Sequence, residues 1–149
     1  INKKLMESFN LPNARLLYKK NKMDSSWVKQ IASIDMAIEE HPRVQRASDQ
    51  FHLYFFKPGE LLTPDDEIWV AREITGFVGP SELEDMQTYD LAKGKFYGVE
   101  TELGESLELE ELINDEKELR MGSNKEFATT WRVSFFREDA KLKRRIGLF

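Results

Sequence analysis

The stretch FHLYFFK, residues Phe51–Lys57, is almost continuously apolar and carries a single histidine. A continuous apolar run is typical of a strand covered on both faces, whereas a strand with one solvated face alternates between apolar and polar residues. Aromatic side chains also favour strands over helices. The stretch therefore predicts a central strand, and the rest of the sheet is expected to form around it.

Three further strands are predicted from aromatic and β-branched content: EIWVAREI from Glu67, GKFYGVETE from Gly94 and TTWRVSFFRE from Thr129. Gly98, inside the second of these, predicts a bulge or a close backbone approach. Two basic stretches have weaker patterns. RLLYKKNK from Arg15 predicts a short strand or a helical turn, and the final DAKLKRRIGLF predicts a short helix or an ordered tail.

Two helices are predicted. The first begins after the capping residues Asp24–Ser26 and ends before Pro42, which disfavours helix in the preceding residue. Its apolar residues recur at helical spacing, at Trp27, Ile31, Ile34 and Ile38. The second helix covers residues 105–121, and Gly122 follows it at the position typical of a helix end.

These elements predict one α+β domain over residues 1–149, with a mainly antiparallel sheet of about four strands packed by two helices. A basic lead-in (1–23) and a basic C-terminal segment (140–149) flank it. A chain of this length can bury a core without disulfides or a structural metal. No internal repeat is apparent in the sequence.

Composition excludes several classes of protein. There are no cysteines, which rules out disulfides, thiolate nucleophiles and cysteine-rich zinc sites and fits a reducing compartment. No apolar run approaches the roughly 18 residues of a membrane span. The eight glycines form neither a dinucleotide-binding nor a phosphate-binding loop, so no cofactor is expected. We expect a soluble protein that is intracellular and cytoplasmic.

The two histidines, His41 and His52, offer little chemistry. By alternation His52 shares a strand face with Tyr54, a pair that can serve acid–base catalysis. A half-buried histidine with satisfied hydrogen bonds is the commoner outcome. Two histidines without cysteine cannot build a three-histidine zinc site. The sequence predicts no catalytic residue and no metal site, and an enzyme is the less favoured alternative.

Charge is distributed unevenly along a chain whose net charge is −5. Residues 1–30 and 119–149 each carry +5, residues 31–57 carry −1, and residues 58–118 carry −14. Chain ends often lie close together on a domain surface. The two ends would then form one positive patch for a partner, consisting of Lys19, Lys20, Lys22, Lys141, Lys143, Arg144 and Arg145. The alternative is that these cations pair with the acidic stretch 100–118.

The segment GKFYGVETELGE, residues 94–105, is similar to a strand-and-turn stretch of gyrase-inhibitor-like effector-binding domains. The resemblance implies strands that flank a hydrophobic ligand cleft containing an acidic residue. Independently of it, the aromatic residues of the strands predict a ligand pocket or, alternatively, an ordinary core: Tyr54, Trp69, Tyr97 and Trp131.

Three functions are therefore open. The favoured one is a non-catalytic interaction protein, an adaptor, assembly factor or inhibitor, which binds a protein partner through its charge-polarised surface. Nucleic-acid binding by the basic, aromatic-containing ends is the second, although a sequence pI near 5.2 argues against a broad footprint. A small-ligand domain with an aromatic pocket is the third. No membrane partner is expected.

Overall fold

In the computed structural model the described residues are 7–23, 26–55, 63–79, 83, 85–102, 131–138 and 141–148. They form one helix and eight strands. In chain order the elements are β1 (Glu7–Leu11), β2 (Ala14–Lys22), α1 (Trp27–Glu40), β3 (Val44–Phe55), β4 (Glu67–Gly76), β5 (Gln87–Leu91), β6 (Gly94–Glu102), β7 (Trp131–Glu138) and β8 (Lys141–Leu148).

All eight strands belong to one sheet, in the order β1-β6-β8-β7-β3-β4-β2-β5, and every neighbouring pair is antiparallel. The predicted fold class, an α+β domain with about four strands packed by two helices, is therefore wrong. The described chain is mostly sheet. The predicted second helix, residues 105–121, lies outside the described residues.

The additional strands come from the stretches with weak patterns. The lead-in supplies β1 and β2, and the basic C-terminal block Lys141–Ile146 lies in β8, between β6 and β7. The lysines and arginines of these stretches hide the alternation of apolar and polar residues that identifies a strand. Long cationic side chains can occupy a strand face that is partly solvated. The central strand was predicted correctly, since β3 lies between β7 and β4.

The sheet contains an internal two-fold repeat that the sequence analysis missed. Exchanging β1, β2, β3 and β4 with β5, β6, β7 and β8, respectively, gives the same order of strands read from the opposite edge of the sheet. The registers obey the same exchange: Tyr18 pairs with Ala71 in one half, and Gly98 pairs with Gly147 in the other. The relation passes through the central pair Leu53 and Val133.

The repeat is also visible in the residues. Glu7–Leu11 reads ESFNL and its counterpart Gln87–Leu91 reads QTYDL. Phe51–Phe55 reads FHLYF and its counterpart Trp131–Phe135 reads WRVSF. The two halves thus keep the apolar positions and change the polar positions, and this change produces the asymmetric site described below.

Helix α1 packs on one face of the sheet, which we call the helix face. Trp27, Ile34 and Ile38 are buried there, and Ile31 packs against them, which confirms the predicted apolar stripe. Their partners on the strands include Leu53, Phe55, Val70, Val133 and Phe135. The register shift in β3 lies between Arg46 and Phe51, whereas Gly98 pairs in unbroken register. None of the helices in the described ranges is long and apolar enough to cross a membrane.

The opposite side of the sheet, which carries Tyr54, Trp69 and His52, is called the Tyr54 face. Residues of a strand alternate between faces, so these side chains point away from α1. Tyr54 and His52 are nevertheless fully buried. The single helix of the described chain packs on the other face, and the Tyr54 face carries a separate cluster of buried side chains.

Candidate ligand site on the Tyr54 face

Two rows of residues cross the Tyr54 face at right angles to the strands. The first row runs through Lys20, Trp69, Tyr54, Arg132, Gly147 and Gly98. The second row runs through Tyr18, Ala71, His52, Ser134 and Arg145. The internal two-fold exchanges the two rows. Under this two-fold the counterpart of Arg132 is His52, and the counterpart of Tyr54 is Ser134. These four residues lie next to the central pair, Leu53 and Val133.

Aromatic rings fill the half of the face formed by β2, β4 and β5. Trp69 stacks on Tyr18 with ring centroids 3.8 Å apart and planes 7° apart, and it meets Tyr89 edge-on at 5.2 Å. The Tyr18 hydroxyl donates to Gln87 Oε1 at 2.7 Å, which fixes the ring. Trp69 is half-buried and Tyr89 is exposed, so this aromatic group reaches the surface.

A polar cluster occupies the centre of the face, around His52. Its Nδ1 lies 2.7 Å from Ser134 Oγ and 3.2 Å from Arg132 Nη2, and its Nε2 lies 3.4 Å from Glu73 Oε1. These contacts fit one neutral tautomer. Nδ1 accepts from the serine hydroxyl and the guanidinium, and Nε2–H faces the carboxylate.

Burial decides the protonation of this cluster. Burial lowers the pKa of His52 to about 4, and the nearby Arg132 guanidinium acts in the same direction. The contact with His52 holds the pKa of Glu73 below its usual value, against the opposing effect of burial, and the nearby Arg132 guanidinium also lowers it. Burial also raises the pKa of the Tyr54 hydroxyl to about 12. At neutral pH the cluster thus contains one cation, Arg132, and one anion, Glu73.

The Arg132 guanidinium lies over two aromatic rings. Its guanidinium carbon is 5.7 Å from the centroid of Tyr54 and 5.6 Å from that of Phe96, and Nη2 is 3.3 Å from Glu73 Oε1. Its Nε is buried and makes no hydrogen bond to the described residues. Glu73 is the more accessible member of the pair, with 26% of its side chain accessible.

The predicted pocket residues are only partly brought together. Tyr54 and Trp69 are directly paired across β3 and β4 on the Tyr54 face. Trp131 pairs with Phe55, and Tyr97 pairs with Leu148. By register, Trp131 and Tyr97 lie in the row of positions that contains Phe55, not in the row that contains Tyr54 and Trp69. The structure therefore brings two of the four predicted pocket residues together, Tyr54 and Trp69.

The predicted basic patch is divided between two parts of the sheet. Lys19, Lys20 and Lys22 lie on β2, whereas Lys141, Lys143, Arg144 and Arg145 lie on β8. Three strands, β7, β3 and β4, separate β8 from β2. In β8, Arg145 pairs in register with Glu100 and Lys143 with Glu102. The structure therefore does not place the two basic groups side by side.

Four residues of the site were not singled out from the sequence: Glu73, Arg132, Ser134 and Tyr18. The sequence feature that could have identified them is a polar residue inside an otherwise apolar strand, as in WRVSF. Polar residues in a central strand need partners, and such positions are often functional. Among the described residues no group of three or more acidic or histidine side chains is arranged to hold a metal ion.

No known family model matches the chain, and no curated protein matches it in sequence. Solved structures do match. The EcmrR C-terminal domain superposes with a TM-score of 0.73 at 13% identity, over 97% of this chain and 95% of that one. SAV2435, solved bound to tetraphenylphosphonium, superposes with a TM-score of 0.52 at 10% identity, over 98% and 94%.

EcmrR has also been solved as a complex with DNA, and this chain spans 56% of the EcmrR chain there, with a TM-score of 0.73 at 12% identity. Identities this low show a shared fold and nothing finer. The chain therefore has the fold of the EcmrR C-terminal domain.

Proposed function

We propose that the chain is a small-molecule-binding domain whose Tyr54 face holds a lipophilic organic cation. The observation that carries the proposal is the carboxylate of Glu73, which is charged and partly accessible on the same strand face as Trp69. A carboxylate beside aromatic rings is the usual chemistry for a large cation with little hydration, because the rings supply area and cation–π attraction and the carboxylate supplies charge.

The spacing suits a ligand of several rings. Every second residue of β4 lies on the Tyr54 face, and these include Trp69, Ala71 and Glu73. Trp69 and Glu73 therefore lie about 13 Å apart along the strand. Ala71, between them, presents only a methyl group. Trp69 and Glu73 are the half-buried members of this set, so they are the first groups that an entering ligand meets.

The comparisons supply independent support. A protein of the same fold has been solved with tetraphenylphosphonium, a lipophilic cation of four phenyl rings. The similarity of residues 94–105 to gyrase-inhibitor-like domains also implies a hydrophobic cleft with an acidic residue. The charge-polarised docking of a protein partner and nucleic-acid binding stay predictions, because a shared fold at these identities tests neither.

Calorimetric titration with tetraphenylphosphonium tests the proposal. We expect saturable one-to-one binding to the wild type and a loss of about tenfold or more in Glu73→Gln, corresponding to about 1.4 kcal/mol. Glu39→Gln, on the exposed surface of α1, is the matched control and should bind like the wild type. Trp69→Leu should weaken binding while leaving the Glu73 cluster in place.

Two results would contradict the proposal. One is the absence of binding by a folded wild type. The other is unchanged affinity in both Glu73→Gln and Trp69→Leu, which would place any bound cation elsewhere. Thermal unfolding of each variant shows whether a lost affinity reflects a lost fold.

A further inference from the structure

We infer that Arg132 forms a second polar contact in this site, in which its Nε–H donates to an acceptor oxygen of the ligand. The preferred ligand is then a zwitterion, an aromatic cation that also carries a carboxylate or a comparable acceptor. The inference rests on the proposed function, since it places a second group of the same ligand on the Tyr54 face.

The first observation is an unpaired buried donor. The Arg132 side chain is 5% exposed, and its Nη2 contacts both Glu73 and His52. Nε, by contrast, makes no hydrogen bond within the described part of the chain. Buried donors are nearly always paired in folded proteins, and each exception needs an explanation. An acceptor that arrives with the ligand is such an explanation.

The second observation is that the guanidinium is held in one orientation. It lies over the rings of Tyr54 and Phe96, at 5.7 and 5.6 Å, and its Nη2 contacts both His52 and Glu73. A guanidinium is planar, so these contacts restrict the direction in which Nε–H points. A donor positioned before binding recognises an acceptor without a further ordering cost.

The third observation is the pair of glycines beside Arg132. Gly147 pairs with Arg132, and Gly98 pairs with Gly147, so two successive strands carry no side chain in this row. Their counterparts in the other half are Ala71 and Tyr18. The internal two-fold is therefore broken by the loss of side-chain volume next to Arg132, and we place the acceptor end of the ligand on this side of Arg132.

The fourth observation is charge. Arg132 and Glu73 neutralise one another, so this ion pair carries no net charge. A simple cation that approaches Glu73 competes with Arg132 for the same carboxylate and leaves a net charge in a buried place. A zwitterion gives each protein charge a partner of its own.

Binding of two matched probes tests the inference: phenyltrimethylammonium and its 4-carboxy derivative, which differ only in the carboxylate. We expect the wild type to bind the carboxy derivative about tenfold more tightly or better, as for one hydrogen bond between charged groups. Arg132→Lys keeps the positive charge and removes Nε–H, so its preference should fall towards unity. Lys93→Gln, at an exposed cation outside the face, is the control and should keep the full preference.

The Arg132 Nε–H resonance gives a second readout that needs no stable variant. It should shift downfield when the carboxy derivative binds and stay in place with phenyltrimethylammonium. Equal affinity of the wild type for the two probes, or an unmoved resonance, would overturn the inference while leaving cation binding at Glu73 intact. Failure of both probes and of tetraphenylphosphonium would overturn the proposed function as well.

Discussion

Individual buried residues decide both the stability and the chemistry of this chain. Ile34 is fully buried between α1 and the sheet. Ile34→Ala should lower the free energy of unfolding by about 2–4 kcal/mol, because it removes a buried side chain and leaves a cavity. Met36→Ala, at a largely exposed position of the same helix, should change it by less than about 0.5 kcal/mol. Equal midpoints in urea for the two variants would show that the helix is not packed as described.

His52 predicts a pH dependence of stability. The unfolded state binds a proton below about pH 6.5 and the folded state only below about pH 4, so unfolding takes up a proton between these values. The free energy of unfolding should therefore fall as the pH falls from about 6.5 to 4, by about 3 kcal/mol at most. Glu73, whose pKa is also lowered, acts in the same direction at lower pH.

The measurement is urea unfolding at several pH values. His52→Gln should flatten the slope between pH 6.5 and 4. If His52→Gln has the wild-type slope, the buried neutral histidine does not account for the effect.

At the scale of elements, sequence patterns were reliable only where packing is one-sided or fully apolar. The stripe at Trp27, Ile34 and Ile38 identified α1, and the apolar run from Phe51 identified the central strand. β8 was missed because KLKRRIGL has the composition of a solvated tail, and its strand identity depends on pairing with β6 and β7. Such non-local pairing is not visible in a local window.

The candidate site was predictable only in part for the same reason. Tyr54 and Trp69 were identified from their aromatic character. Glu73 and Arg132 are ordinary charged residues in the sequence, and they become a site only because β4, β3 and β7 are neighbours. The repeat relating FHLYF to WRVSF was the one sequence feature that could have shown which polar positions face one another.

One buried ion pair connects α1 to the sheet. Arg72 donates from Nε and Nη2 to the two carboxylate oxygens of Asp35, both at 2.8 Å, and Nη1 donates to the carbonyls of Asp49 and Gln50 beside the irregular part of β3. Asp35→Asn leaves a buried guanidinium without its counter-ion. It should lower the free energy of unfolding by about 2–3 kcal/mol, since Asp35 itself is partly exposed.

Asp49→Asn is the control for this prediction, because its side chain is almost fully exposed and pairs only loosely with Arg46 at 3.9 Å. It should change stability by less than about 0.5 kcal/mol. Chemical denaturation of the two variants separates the outcomes, and equal effects would mean that the bidentate pair contributes little to the docking of α1.

At the scale of the whole molecule, the basic residues near the end of the chain pair in register with acidic residues of its middle part. The basic block lies in β8, where Arg145 and Lys143 pair in register with Glu100 and Glu102. Opposite charges facing one another across strands contribute about 0.2–1 kcal/mol per pair. Changing Lys143, Arg144 and Arg145 together to serine should therefore lower the free energy of unfolding by about 0.4–2 kcal/mol for the two pairs, and added salt should reduce the difference.

The docking hypothesis makes the opposite prediction for the same triple variant: stability close to that of the wild type, with slower and less salt-sensitive association with an acidic partner. Thermal unfolding at low and high salt distinguishes the two readings. A loss of stability that salt reduces favours internal pairing, and unchanged stability favours docking.

A titration of the ¹H–¹⁵N spectrum with tetraphenylphosphonium shows directly whether the Tyr54 face binds a lipophilic cation. We expect saturable shifts concentrated on that face: the indole Nε1–H of Trp69 and the amides around Tyr54, Glu73 and Arg132. The exposed surface of α1, around Glu39, should stay unperturbed. Shifts confined to α1, or an unchanged spectrum at saturating ligand, would contradict this expectation.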